Sequence, residues 1–392
     1  MSSQADHGAS DVRSEVADDV TASAMEPSRR RVLRTAGIAA AVPLLGTVLA
    51  ACGANASNAS NPTASSGGGG FTQGKDPWPQ HPTYKFAFIN HVTTNPFFTP
   101  TQYGIQDACD LLGCTYSWTG STNSVPSDMV TAMNTAIAAN VDGIAVAVID
   151  NKAFVGPIDS ALAKGIPVVA YNADATQNIQ NNHYMSYVGQ DNYVAGQKLA
   201  QRLLADGAVK SGDLVGGMIA TPGTLNIQPR LDGIVSVLKP AGVNVATVAT
   251  GALLTQEFTA VDAWYQGHTN AKFMVAVDDG SSEAVADAIK KYNLKGKVGG
   301  AGWDVSTPVL NGLKDGSLLY TIDQQAYLQG FVPVVQMFMY NISGGLMLPC
   351  DTDTGLTIVT QSTVDAYLAQ QTRFEGSSKA EKILTRTAKI TV

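Results

Sequence analysis

The feature that most constrains this chain is a rhythm. Short apolar runs alternate with amphipathic stretches, and the pattern runs through once, restarts after Asp191 and runs through again. Runs such as Phe86-Ala87-Phe88-Ile89 and Ile144-Ala145-Val146-Ala147-Val148-Ile149 are apolar without alternation. A strand of that kind needs cover on both faces, which a parallel sheet flanked by helices supplies. Strands are expected at 85–90, 114–119, 144–149, 166–171 and 187–189, then at 214–220, 243–250, 272–277, 297–302 and 318–322, with helical patterns between them. Two sets so alike in rhythm describe two α/β lobes rather than one large sheet. The helical pattern at 328–342 and the apolar segment 355–360 have no partner in the second set. They are expected to complete the first lobe and return to the second, which makes a hinge.

The N-terminal region stands outside this rhythm. Residues 1–27 are small and polar. Ser28-Arg29-Arg30-Arg31 then precedes an apolar run, 36–51, which is short and rich in small residues for a membrane span. It ends in Leu49-Ala50-Ala51-Cys52-Gly53. This order resembles a bacterial lipoprotein export signal of the twin-arginine kind. The resemblance implies removal of 1–51, lipidation of Cys52 and anchoring outside the cytoplasmic membrane. The alternative is a basic tail on a buried helix. Residues 52–82 are rich in Ser, Asn, Gly and Pro and read as a flexible tether. An exported chain can keep disulfides. A staple between Cys109 and Cys114 is sterically open, beside the reading of two small buried hydrophobes. Cys350 is then left unpaired.

Function classes narrow by exclusion. The formal net charge is −7, and no basic stripe exists for nucleic acid. His7, His81, His91, His183 and His268 are scattered without the spacing of metal ligands. No nucleophile elbow, phosphate loop or His/Glu metal motif occurs. Gly300-Ala301-Gly302 lacks the third glycine of a dinucleotide loop, and Trp303 would crowd a pyrophosphate. Asp278 and Asp304 could form a carboxylate pair for glycoside hydrolysis, yet nothing singles out an acid from a base. No enzyme activity, cofactor or metal is expected.

The informative residues follow the carboxyl ends of the expected strands. Thr94-Asn95-Pro96-Phe97-Phe98 comes after the first, with Asn95 placed to cap a helix and Pro96 in its first turn. Asp150 and Asn151 follow the third, and Asn172 and Asp174 the fourth. In the second set, 221–230 with Arg230, then Asp278 and Asp279, Trp303 and Asp304, and Gln324 and Gln325 take equivalent places. Each alone is an ordinary cap or turn residue. Together, two sheets of one design would point them at a shared cleft. Carboxylates and amide oxygens accept from hydroxyls, amides and a guanidinium donate to them, and aromatic faces cover C–H surfaces. That set suits a neutral sugar or polyol.

From about Tyr84 to Val359 the chain resembles the ribose-binding-protein class of periplasmic-type sugar-binding proteins, the substrate receptors of ABC importers. The resemblance rests on Asn95-Pro96-Phe97-Phe98 with Gly104, Val188-Gly189-Gln190-Asp191-Asn192, Gly302-Trp303-Asp304 and Thr321-Ile322-Asp323-Gln324-Gln325. It implies a type I periplasmic binding protein: α/β, with two Rossmann-like lobes whose parallel sheets are joined by a three-crossing hinge. The lobes are expected at 83–189 plus 325–357 and at 190–324 plus 358–392. It implies a monomeric extracytoplasmic receptor that closes on a monosaccharide or polyol and presents it to a membrane permease. A sensor subunit for a sugar or furanone-type signal is the alternative. Carried over by position, Asn95 bonds hydroxyls, Phe97 and Phe98 flank the ring, and Arg230, Asp278, Asp304 and Gln324 line the opposite jaw. A further ring contact falls loosely near Gln256. Two departures matter. Asn172-Ala173 stands where ribose binders carry Asp-Arg, and Ala147 or Val148 stands where they carry an asparagine. The expected ligand is therefore a neutral sugar or polyol other than ribose.

Overall fold

The computed structural model describes residues 78–176, 181–369 and 372–377. The export signal, Cys52 and the tether up to residue 77 lie outside the described residues. Among the described residues, no helix is long and apolar enough to cross a membrane.

The first lobe opens with β1 (Lys85–Asn90), α1 (Thr99–Leu112), β2 (Thr115–Gly120), α2 (Pro126–Ala138), β3 (Gly143–Val146), α3 (Val155–Ala163), β4 (Val168–Tyr171) and β5 (Ser186–Gly189). The second contains α4 (Asn192–Ala205), β6 (Leu214–Ile219), α5 (Gln228–Leu238), β7 (Asn244–Ala249), α6 (Leu254–Gly267), β8 (Phe273–Ala276), α7 (Asp279–Lys291), β9 (Gly299–Ala301), α8 (Thr307–Lys314) and β10 (Tyr320–Asp323). The chain then returns to the first lobe as α9 (Ala326–Ile342) and β11 (Thr352–Asp353), and goes back as β12 (Thr357–Thr360) and α10 (Val364–Ala369). The two sheets have six strands each, in the orders β11-β5-β4-β3-β1-β2 and β12-β10-β9-β8-β6-β7. All pairings are parallel except β12 against β10. The α/β architecture with two parallel sheets and a hinge of three crossings is the one expected.

The apolar strands explain the layering. Phe86, Ala87, Phe88 and Ile89 of β1 are all buried, so both faces of the sheet are covered. Val334, Met337 and Phe338 of α9 join that core, which fixes α9 to the first lobe. Helices α4 and α5 pack together on one face of the second sheet, where Leu199, Leu231 and Ile234 meet Val215 and Phe273. Helices α7 and α8 cover the other face. Full burial of such a side chain contributes roughly 1.5–3 kcal/mol, so the two sheets are held mainly by these layers.

One open alternative resolves, and one expectation needs correction. Cys109 and Cys114 are free thiols rather than a disulfide. Both are buried in the first core, and burial raises them to about 12 and about 11. The side chains serve as small hydrophobes, while the Cys114 N–H returns to the Cys109 carbonyl at 2.9 Å. Cys350 is also free, and it is exposed. The correction concerns 358–392. Residues 372–377 leave α10 and settle on α1 of the first lobe. There Arg373 pairs with Asp107 (Nη2–Oδ1 2.7 Å) and lies over the Tyr103 ring, and Phe374 packs edge-on against Tyr327. This adds a fourth passage between the lobes.

Candidate functional site

The loops after the strands of both sheets face one narrow cleft with a cavity volume of about 50 Å³. On the first lobe, Asn95 caps a 3-10 turn, Pro96–Phe98, by accepting from the Phe97 N–H at 2.9 Å. That turn swings both aromatic rings toward the cleft. Phe97 is half-buried, and Phe98 is packed beneath it with ring centroids 4.7 Å apart. Phe98 is in turn backed by Trp118, whose Nε1 donates to the Thr93 carbonyl at 3.0 Å. Phe97 therefore offers a braced apolar face.

On the second lobe the central group is Arg230, 2% exposed at the start of α5. Its Nε donates to Asn192 Oδ1 (2.9 Å), Nη1 to the Val277 carbonyl (2.9 Å) and Nη2 to Gln324 Oε1 (3.0 Å). A guanidinium has five N–H donors, so one on each terminal nitrogen remains for the cleft. Burial pulls Arg230 down, and Asp304, Tyr187 and Asp278 oppose that. Trp303 stacks behind it, 4.9 Å from the guanidinium carbon to the ring centre.

Gln324 links this group to the hinge. Its Nε2 donates to Asp304 Oδ1 at 2.6 Å, and Gln329 Nε2 donates to its Oε1 at 3.0 Å. Gln329 Oε1 accepts from Asn172 Nδ2 at 3.0 Å, so one chain of bonds runs from the first-lobe wall to Arg230 and Asp304. The crossings are tied to it: Thr354 Oγ1 donates to the Gln324 carbonyl, and Gln190 accepts from Trp303 Nε1 while donating to the Gly355 carbonyl. Four of the residues at this cleft and hinge hold left-handed backbone, Ser124, Asn172, Asp304 and Gln325, with φ of 56°, 62°, 73° and 55°. Non-glycine residues persist there only where surrounding contacts over-determine them, which is common at ligand sites.

The carboxyls are unusual in number. Glu257, Asp278, Asp279 and Asp304 all line the cleft around one guanidinium. Asp278 caps α7, accepting from Ser281 N and Ala220 N at 2.9 Å each. Burial raises Asp304 to about 7 against the pull of Arg230 and Gln324, and burial followed by Asp304 raises Asp279. Glu257 is pushed up to about 10, first by burial and then by Asp278, and so carries a proton at neutral pH. Gly280 makes room for it, since a Cβ there would lie 1.7 Å from Glu257 Oε2. The wall therefore contains both hydrogen-bond-donating acids and accepting carboxylates.

Of the residues expected from the sequence, Asn95, Phe97, Phe98, Asn172, Arg230, Asp278, Asp304 and Gln324 come together around the cleft. Two do not. Trp303 is fully buried behind Arg230, because two residues past Ala301 the chain still turns its side chain into the second core. Asp174 accepts from the Tyr184 hydroxyl and lies outside the lining. Near Gln256, where a ring contact was loosely expected, the residue that lines the cleft is Glu257. Two further lining residues, Asn226 and Asp279, fall in the strand-end stretches singled out from the sequence but were not among the ligand contacts, and His91 and Ser124 were missed altogether. His91 and Asp279 follow strand ends, the signal that marked Asn95; Glu257 lies inside a helical pattern and carries no such signal. Among the described residues, no cluster of His, Cys, Asp and Glu is arranged to hold a metal ion.

The family described as "Periplasmic binding protein domain" matches residues 86–344. The chain is similar to the xylose/arabinose-binding protein XylF of Sulfolobus acidocaldarius, 43% identical over 382 residues and 92% of each chain. It is also similar to a D-ribose/D-allose-binding protein of Pseudomonas aeruginosa, 30% identical over 210 residues, 52% of this chain and 64% of that one. Among solved structures, an ABC transporter solute-binding protein from Burkholderia graminis in complex with D-arabinose superposes with a TM-score of 0.66 at 28% identity, covering 72% of this chain and 97% of the other. With the family model matched over 86–344 and a 43% identical relative covered over 92% of its length, the chain belongs to the periplasmic binding protein family, whose members are extracytoplasmic ligand binders and not enzymes.

Proposed function

We propose that this protein is the sugar receptor of an ABC importer and that its cleft takes a neutral aldopentose of the xylose or arabinose type. The observation that carries this reading is the composition of the cleft wall. Four carboxyls, of which Glu257 carries a proton at neutral pH, surround a single guanidinium, so donors and acceptors of both kinds face a braced phenyl ring, a wall suited to hydroxyls. A polyhydroxylated ring matches that wall on its edges and on its face. The pentose is supported by the 43% identical relative named for xylose and arabinose, and by the neighbour bound to D-arabinose. The altered first-lobe loop fits a choice other than ribose: Ala173 replaces a charged group, and Asn172 is committed to Gln329 through its nitrogen.

In this reading Asn95, Phe97, Phe98 and Asn172 hold the ligand from one side, and Arg230, Asp278, Asp304 and Gln324 from the other. Only the closed form makes both sets of contacts, so ligand shifts the lobes toward closure and marks the form a permease recognises. The receptor is exported, acts as a monomer and is anchored by lipid through Cys52. A thermal-shift panel tests the ligand. D-Xylose or L-arabinose at about 100 times its dissociation constant should add roughly 2.7 kcal/mol of stability. No shift with either pentose, alongside a shift with ribose or with an anionic sugar, overturns the proposal.

A further inference from the structure

The end of the first lobe farthest from the cleft carries an apolar feature that ligand binding does not use. Helix α9 runs away from the hinge and stops where the strands of the first sheet begin. There Asn341 Nδ2 donates to the carbonyl of Asp142, the residue before β3, at 2.7 Å. The chain then turns through Gly344 and Gly345, both in left-handed backbone with φ of 62° and 87°. The turn is pinned. The Gly345 N–H donates to the Tyr340 carbonyl at 2.8 Å, and the Met347 N–H to Ser343 Oγ at 2.9 Å. It presents Leu346, Met347 and Leu348, which are 89%, 51% and 70% exposed. Single exposed apolar residues are ordinary, whereas adjacent ones held out by a fixed turn mark a contact surface.

The chain enters the first lobe at the same end. Trp78, His81 and Tyr84 pack their rings on Phe338 of α9, with centroids 5.5, 5.0 and 5.9 Å from it. Phe338 lies one helical turn before Ile342, where α9 stops. The stretch that leads from Cys52 therefore arrives beside the exposed turn. Residues 52–77 number 26, and a Gly/Ser-rich linker of that length has a root-mean-square span of roughly 25–30 Å. A lipid on Cys52 keeps this end of the body within reach of the bilayer, with the second lobe beyond the hinge. A contact made on such a tether is intramolecular, at an effective concentration on the order of millimolar, so a few side chains suffice for it. Trp78 and Tyr84, both half-buried, are of the residue types that favour the headgroup level.

We propose that Leu346, Met347 and Leu348 dip into the surface of the bilayer that holds the anchor and dock the first lobe on the membrane by this end. The proposal rests on the reading of Cys52 as lipidated. The cleft is built at the opposite ends of the same strands, so the docked receptor keeps it open to ligand.

Cys350 supplies the reporter. It is exposed and two residues beyond Leu348, whereas Cys109 and Cys114 are buried. The lipidated protein, labelled at Cys350 with an environment-sensitive fluorophore, is incorporated into phosphatidylcholine vesicles with and without spin-labelled lipid. The emission should shift to the blue on incorporation and be quenched by the spin label. Leu346→Ser combined with Leu348→Ser should lower the ratio of inserted to free probe on the order of 10-fold or more, since both side chains point to solvent in the fold and their burial drives the contact. A vesicle-bound protein whose probe stays water-like and unquenched would overturn the contact while leaving the anchor intact. Equal quenching in the unmodified protein and the double variant would also overturn it. A blue shift that appears without vesicles and grows with protein concentration would assign the patch to a second copy of the chain instead. A mass showing Cys52 without lipid would overturn the anchor and the contact with it.

Discussion

Asp304→Asn separates the electrostatics of the cleft from its shape. Asparagine tolerates the left-handed backbone at this position, φ 73°, and its oxygen can still accept from Gln324. What changes is the ability to ionise. Asp304 is buried, and burial raises it to about 7, opposed by Arg230 and Gln324. In the unfolded chain the same carboxyl titrates near the ordinary value of about 3.9. The folded state therefore holds this proton more tightly. Its contribution to stability is complete below about pH 4 and is lost as pH rises through about 7. Ionising a carboxyl held near 7 instead of near 4 costs ~4 kcal/mol as a ceiling, with the Arg230 charge already included. Apo melting temperatures of the unmodified protein and of Asp304→Asn should be recorded from pH 5 to pH 8.5. The unmodified protein should fall relative to the variant by several degrees between pH 5 and about pH 7, and the two curves should run parallel above that. Curves parallel over the whole range would refute the reasoning, as would a rise of the unmodified protein relative to the variant.

Two further perturbations follow from other parts of the fold. Glu257 is raised to about 10, so its share of stability is lost steadily between about pH 4 and that value; the melting temperature of Glu257→Gln should gain on that of the unmodified protein from pH 7 to pH 9.5, and a constant difference between the two would contradict the protonated acid. Arg373 holds residues 372–377 on the first lobe through a two-pronged pairing with Asp107 and a bond to Gln106 (Nη2–Oε1 3.2 Å). Arg373→Ala should lower stability by about 1 kcal/mol in urea titration, and an unchanged midpoint would show that this passage carries no stability.

Much of this architecture was legible because it is local. Unbroken apolar runs mark strands covered on both faces, and Asn95-Pro96 marks a helix start wherever it occurs. Even so, the first turn is 3-10, and the α-helix begins at Thr99 with Pro100 in its own first turn. Half of the cleft was legible by the same logic, since loops after parallel strands converge on one edge. The rest depends on partners remote in sequence. His91 matters because Asn226, 135 positions away, closes against it. Glu257 matters because Gly280 leaves space for its carboxyl, and because α6 starts at Leu254, earlier than the apolar pattern suggests. Trp303 misleads in the opposite sense. An aromatic at a strand end looks like a ring platform, but the alternation of side chains turns it inward, where it supports Arg230 from behind. The return of 372–377 to α1 has no local signature, since Arg373 and Asp107 are ordinary surface residues until the fold joins them.

The central claim is that the cleft binds a neutral pentose through groups on both lobes, with Arg230 as the principal donor of the second. Isothermal titration of D-xylose and L-arabinose into the protein and into Arg230→Lys tests it most directly. Lysine keeps the charge but cannot span Asn192, Gln324 and the cleft at once. The account predicts saturable binding of one pentose per protein, weakened by on the order of 100-fold in the variant. Equal affinity in both proteins, or no binding of either pentose to the unmodified protein, would contradict it.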